Sequence, residues 1–176
     1  MKTAPAHIPI PRLEDTARLG KIMAAALTGR EESPEESLLI LLEGGLGAGK
    51  TTLARFLVEA LPGGELAEAG SPSFTLCNVY PTRPETRHFD LYRLGENPEK
   101  ILPSLSEILL ETLEEAETMP LLVLVEWSEL LPKTLLPPSY LLCRLTGMQN
   151  SRRASFESRG KPASDFLRRL LETRSA

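Results

Sequence analysis

The sequence predicts an α/β fold: a central mixed sheet with parallel core strands and antiparallel additions, and helices on both faces. Three observations carry this expectation. Two continuous apolar runs, "LLILLE" at 38–43 and "LLVLVE" at 121–126, read as strands buried on both faces of a parallel sheet. The first run stops at a glycine-rich loop, "GGLGAGKTT", and a helix-like segment follows it. Elsewhere, paired segments alternate polar and apolar residues, as half-covered antiparallel strands do.

The elements follow in chain order. "HIPI" at 7–10 is a short edge strand, because Pro9 and Pro11 exclude it from a sheet interior. "LEDTARLGKIMAAALTG" is a helix with Leu13, Ala17, Ile22, Ala25 and Ala26 near one face, stopped by Gly29. "EESPEES" is a solvated acidic linker. Beyond the glycine-rich loop, residues 51–60 form a helix that "LPGG" ends. "SFTLCNVY" and "RHFDLYRL", separated by the turn-rich "PTRPE", form an antiparallel hairpin or adjacent pair. "PSLSEILLETLEEAE" is an amphipathic helix, and "SYLLCRLTG" with "RRASFES" forms a closing antiparallel pair. "ASDFLRRLLETR" opens on a Ser–Asp cap signal and makes a last helix over 162–176.

Bulk properties bound the function. A chain of 176 residues is expected to form one domain, 1–176, with a full core. With 20 basic and 24 acidic side chains its net charge is -4, which argues against a general nucleic-acid coat. Cys77 and Cys143 form no C-x-x-C and read as buried free thiols in a reducing compartment. The N-terminal stretch has no long apolar core, and no run approaches the ~18 apolar residues of a membrane span. A cytoplasmic protein is expected.

The glycine-rich loop fits G-x-x-x-x-G-K-[ST] through Gly44, Gly49, Lys50 and Thr51. Glycines at 44, 45, 47 and 49 let backbone N–H groups approach phosphate oxygens with no side chain in the way. The positive end of the following helix adds to that field. Lys50 can reach the β- and γ-phosphates of a nucleotide, and the Thr51 hydroxyl can ligate Mg²⁺. Such a loop needs a carboxylate opposite it for the metal, and Glu126 ends the second buried run where that acid should sit. Asp90 in "RHFDLYR" is either an exposed acid on an alternating strand or the group that orients an attacking water.

"GGLGAGKTT", "SPSFTL", "HFDLYRL" and "VEW", in this order and spacing, resemble the TsaE (formerly YjeE) family over about residues 8–158. The loop alone is unspecific; "HFDLYRL" followed by "VEW" is very specific. The resemblance implies a P-loop α/β fold that binds ATP and Mg²⁺ and hydrolyses ATP slowly. It also implies work with TsaD and TsaB, the pair that transfers threonylcarbamoyl to the tRNA adenosine beside the anticodon. Contact with tRNA would then be indirect, through that complex. By motif, Gly47, Ala48, Gly49, Lys50, Thr51 and Thr52 would bind the phosphates, with Thr51 and Glu126 on Mg²⁺. Asp90 would be the catalytic acid, and Trp127 and Glu129 would lie near the nucleotide. Ser71, Ser73 and Thr75 match a switch-like segment, and Arg152 or Arg153 falls where the family has a nucleotide-contacting arginine. The segment around Thr16 resembles the part that lines the adenine side.

Departures from that pattern are Gly45 in place of Asp or Asn, SPS in place of SPT, and "ILPSLSEILLE" in place of a glycine-containing helix. From the residues alone, His88 either orients a site group or is a hydrogen-bonded structural histidine. Trp127 is either a core anchor or a nucleotide neighbour, and Tyr92 and Arg93 either face a partner or brace their strand. Three classes of function remain: a partner-dependent ATPase, a small-molecule phosphotransferase, and a nucleotide switch without turnover. "SRRASFESR" is a poor candidate for the arginine-rich lid of the second, and Asp90 with Glu126 counts against the third.

Overall fold

The computed structural model describes residues 6–29, 36–66, 76–95, 98–147 and 151–175, and of residues 66 and 98–102 the backbone alone. Among the described residues seven strands form one sheet: β1 (Ala6–Pro9), β2 (Leu38–Glu43), β3 (Cys77–Tyr80), β4 (Glu85–Asp90), β5 (Leu121–Glu126), β6 (Tyr140–Thr146) and β7 (Arg153–Arg159). Their spatial order is β1-β7-β6-β2-β5-β4-β3. The pairs β6–β2, β2–β5 and β5–β4 are parallel, so four strands make a parallel core. β7 and β1 on one side and β3 on the other join antiparallel. The short, proline-bearing β1 is an edge strand, as its sequence predicts.

β2 and β5 lie at the centre because every position of "LLVLVE", and all but the last of "LLILLE", is buried. Alternate residues feed two cores. Leu38, Ile40, Leu42, Leu122 and Leu124 pack beneath the helices α1 (Leu13–Thr28), α2 (Lys50–Ala60) and α4 (Lys161–Ser175). Leu39, Leu41, Leu121, Val123 and Val125 pack on the opposite face with Leu105 and Leu109 of α3 (Pro98–Glu115). The three layers thus place three helices on one face and one on the other. Among the described residues no helix is long and apolar enough to cross a membrane.

Several local expectations change. The buried face of α1 is Thr16, Leu19, Gly20, Met23, Ala24, Ala26 and Leu27, whereas Leu13 is 53% exposed and Ala25 is also exposed. The rotation follows from Gly20: a Cβ there would lie 2.7 Å from Phe56 Cβ and 2.8 Å from the Phe56 carbonyl carbon. α1 therefore turns Gly20 toward α2. α3 starts at Pro98 and carries Pro103 inside it. Pro98 provides the preset φ of a first helical position, and Pro103 sits close enough to the start to forfeit one backbone bond. α4 starts at Lys161, so the Ser–Asp pair falls within the helix, where Ser164 donates its hydroxyl to the Gly160 carbonyl at 2.8 Å. Both cysteines are free; Cys143 is buried and Cys77 only partly so. Burial pushes the Cys77 thiol up to about 11, against a smaller downward pull from Arg87, and it raises Cys143 as well. The acidic linker lies mostly outside the described residues, as do Ser71, Ser73 and Thr75.

The α1–α2 contact yields a test. Gly20→Ala gains intrinsic helix propensity of up to ~1 kcal/mol. It also overpacks a site where the nearest atoms are backbone, a cost of ~1–3 kcal/mol. The expected net result is a lower urea midpoint with an unchanged slope; a higher midpoint would show that the helices separate freely.

Candidate functional site

The parallel register brings the site together. Leu42 of β2 pairs with Glu126 of β5, and Asp90 of β4 pairs with Glu126 on its other side. Three strand tips therefore end in one row, where crevices outside the carboxyl ends of parallel strands form. The loop that leaves β2 turns at Gly44, whose φ is 144° and where a Cβ would lie 2.5 Å from the Leu145 carbonyl oxygen. Only glycine lets the loop start so close to β6. A cross-strand ion pair fastens the same place: Arg144 Nε donates to Glu43 Oε2 at 2.7 Å, and its other arm reaches Glu157.

The loop then enters α2, whose first intrahelical bond runs from Leu53 N–H to the Gly49 carbonyl at 2.9 Å. The N–H groups ahead of Leu53 at this helix start have no partner within the helix and open toward the cleft. The cleft has a volume of about 380 Å³ and is lined by Leu46, Gly47, Gly49, Lys50, Thr51, Thr52, Asp90, Tyr92, Glu126 and Trp127.

Its charged groups lie close together. The Thr51 hydroxyl donates to Glu126 Oε2 at 2.8 Å, and Glu126 is 1% exposed. The other carboxylate oxygen, Oε1, lies 2.9 Å from His88 Nε2. Lys50 donates to the carbonyls of Gly44 at 2.6 Å and Gly45 at 3.1 Å. Its ammonium also sits 3.6 Å from the centre of the Trp127 ring, a cation–π contact. Burial lowers the Lys50 pKa, and the negative charges of Glu126, Glu129 and Asp90 oppose that drop. Asp90 is 4% exposed and accepts the Tyr92 N–H on Oδ1 at 2.9 Å. Trp127 takes a left-handed conformation with φ of 56°, and its ring meets Tyr92 at 5.2 Å between centroids. A tryptophan in that region carries backbone strain, which the surrounding contacts hold in place.

The residues present fit a magnesium ion. A hydroxyl and a carboxylate that meet at 2.8 Å are hard oxygen donors on a cleft wall. Among the described residues no cluster of three or more His, Cys, Asp or Glu could hold a metal by itself. Mg²⁺ does not require one, since it is commonly held by one or two protein oxygens together with nucleotide phosphates and water.

The structure thus gathers Gly47, Gly49, Lys50, Thr51, Thr52, Asp90 and Glu126 around one cleft, with Ala48 in the same loop. Glu129 follows Trp127 in a short 3-10 turn, does not line the cleft, and acts on Lys50 through its charge. Arg152 stands just before β7, half-buried and away from the cleft lining; its carbonyl accepts the Ile10 N–H at 2.9 Å. Thr16 is buried in α1 against the Arg12 carbonyl and does not line the cleft either. Trp127 proves to be both cleft wall and core neighbour. Tyr92, read from sequence as a brace or partner contact, is part of the wall. Tyr80 and Asn78 escaped sequence reasoning although they belong to the bonded group behind Glu126. Strand alternation puts them on the face of His88, but only the hairpin register, Asn78 opposite His88, shows that they meet it.

Comparisons with known proteins give the family. The family model described as "Threonylcarbamoyl adenosine biosynthesis protein TsaE" matches residues 10–155. A tRNA threonylcarbamoyladenosine biosynthesis protein TsaE of Nostoc sp. is 38% identical over 156 residues, covering 88% of this chain and 86% of its own. The protein of that name from Rickettsia conorii is 34% identical over 141 residues, covering 80% of this chain and 70% of its own. The crystal structure of Bacillus subtilis YdiB superposes with a TM-score of 0.68 over 98% of this chain and 97% of that one. At 23% identity that likeness concerns the fold alone. With a P-loop at the tip of β2, a carboxylate at the tip of β5 and this match over most of its length, the chain belongs to the TsaE family.

Proposed function

We propose that this protein is a cytoplasmic, Mg²⁺-dependent ATPase that acts, with TsaD-like and TsaB-like proteins, in forming threonylcarbamoyladenosine beside the tRNA anticodon. The observation that carries the reading is the meeting of Thr51 and Glu126 at 2.8 Å, beside a buried Lys50, in the cleft at the tips of β2 and β5. A P-loop without an opposed carboxylate would support nucleotide binding alone. The names of the relatives supply the pathway.

Each side chain then has a task. Backbone N–H groups from Gly47 to Thr52 cradle the phosphates, and Lys50 leaves the Gly44 and Gly45 carbonyls to reach the β- and γ-phosphates. Thr51 and Glu126 would hold a magnesium ion, which would supply charge neutralisation on the transferring phosphoryl group. Asp90, in register with Glu126, accepts the proton of the attacking water. Tyr92 and Trp127 wall the site. Among the described residues no arginine lines the cleft, in keeping with slow turnover by the free protein. A group supplied in trans can accelerate such a site by ~10³–10⁵. Ser71, Ser73 and Thr75 are proposed as γ-phosphate sensors, and Glu129 and Arg152 as outer nucleotide contacts.

Lys50→Ala is expected to weaken ATP binding by more than tenfold, since a charge-assisted contact is worth ~1.5–3 kcal/mol. Titration calorimetry would show this; unchanged binding would place the nucleotide elsewhere. Glu126→Ala should weaken the Mg²⁺-dependent part of binding, while Asp90→Ala should bind normally and hydrolyse ~10²–10⁴ times more slowly. Exchanged phenotypes would swap those two roles. ATP turnover should also rise when the TsaD-like and TsaB-like proteins are added, and ATP should alter this chain's affinity for them reciprocally. Fast turnover indifferent to both proteins, or phosphate transfer to a small metabolite, would defeat the proposal.

A further inference from the structure

Behind Glu126 lies a buried polar chain that the proposed chemistry does not use. His88 Nε2 stands 2.9 Å from Glu126 Oε1, Tyr80 Oη stands 3.4 Å from His88 Nδ1, and Asn78 Nδ2 donates to Tyr80 Oη at 3.2 Å. His88 is 2% exposed and Tyr80 4%. The chain crosses three strands on the face that carries α1 and α2, from β5 through β4 to β3.

Its directions are constrained at both ends. The Asn78 amide nitrogen donates, and the Glu126 carboxylate oxygen at the other end is an acceptor. A continuous arrangement that joins both ends runs from Asn78 N–H to Tyr80 Oη, from Tyr80 to His88 Nδ1, and from His88 Nε2 to Glu126 Oε1. The two oxygens of Glu126 then have separate partners. Oε1 is held from behind by His88, and Oε2 is left toward Thr51 and the cleft. A carboxylate lacking the rear bond is free to swing about its last torsion and would leave Oε1 buried without a partner.

We propose that His88 is a positioning residue, anchored by Tyr80, that holds the Glu126 carboxylate in the orientation its metal requires. The proposal rests on the nucleotide and metal reading above. Groups behind a metal-ligating residue commonly contribute 10–100-fold to metal affinity.

The test measures binding of a non-hydrolysable ATP analogue to the full chain by calorimetry, with Mg²⁺ and with chelator. It compares wild type, His88→Ala, His88→Gln and Tyr80→Phe, and a urea midpoint is taken for each. His88→Ala should cut the Mg²⁺-dependent gain in affinity by about 10–100-fold and leave chelator affinity unchanged. His88→Gln, whose amide nitrogen reaches as far as Nε2, should restore most of the gain. Tyr80→Phe keeps the ring and should lose about two- to tenfold. If His88→Ala does not fold, the other two variants decide the matter: His88→Gln should keep more of the gain than Tyr80→Phe. Lower stability with an undiminished Mg²⁺ gain across the variants would reduce the chain to a structural one and overturn the proposal. A wild-type protein with no Mg²⁺ gain would instead remove the metal assignment, and the positioning role with it.

Discussion

The parallel register of β2 against β5 is the constraint on which the rest of the molecule depends. Pairing Leu42 with Glu126 puts the loop and the acid at one height, with Thr51 in reach of the carboxylate. A slip of one residue would turn Glu126 to the α3 face and reverse every neighbour on its strand. Burial prevents that slip. Both strands pack on both faces, so a shifted register would misplace leucines and valines in two cores at once. The site is exact because the sheet beneath it has no spare arrangement.

That precision concentrates charge in a dry place. Lys50, Asp90 and Glu126 are each almost wholly buried, where unpaired charges are costly. The fold offsets the cost by giving each group several partners. Lys50 has two carbonyls, an indole face and three nearby acids; Glu126 has a hydroxyl and an imidazole. For Lys50, burial still outweighs the acids, so its pKa falls. A low-dielectric pocket strengthens every remaining attraction, which is the condition under which a phosphate-binding lysine is effective.

Much of this was legible in the sequence because double-sided burial prints itself as an unbroken apolar run. "LLILLE" and "LLVLVE" mark the central strands, their ends mark the cleft, and Lys50, Thr51 and Glu126 follow. What stayed hidden depends on distances between elements. Helix α1 shows a plausible apolar face at Leu13 and Ala25 that the structure exposes, because the deciding fact is how closely Gly20 lets Phe56 approach. The start of α3 was obscured by a proline tolerated inside it. Tyr80 and Asn78 looked like ordinary strand residues, since their meaning comes from a hairpin register that alternation does not specify. Arg152 and Thr16 were placed by family pattern, and neither lines the cleft.

The contact between Lys50 and Trp127 has an optical consequence. The chain has one tryptophan, so its indole emission arises from a single place, 3.6 Å from the Lys50 ammonium. Whatever draws that ammonium off the ring changes the field across the chromophore with no contribution from elsewhere in the protein. The molecule therefore carries its own reporter dye at the spot where nucleotide arrival would first be felt. Its left-handed backbone and the flanking Tyr92 hold that dye in a set orientation.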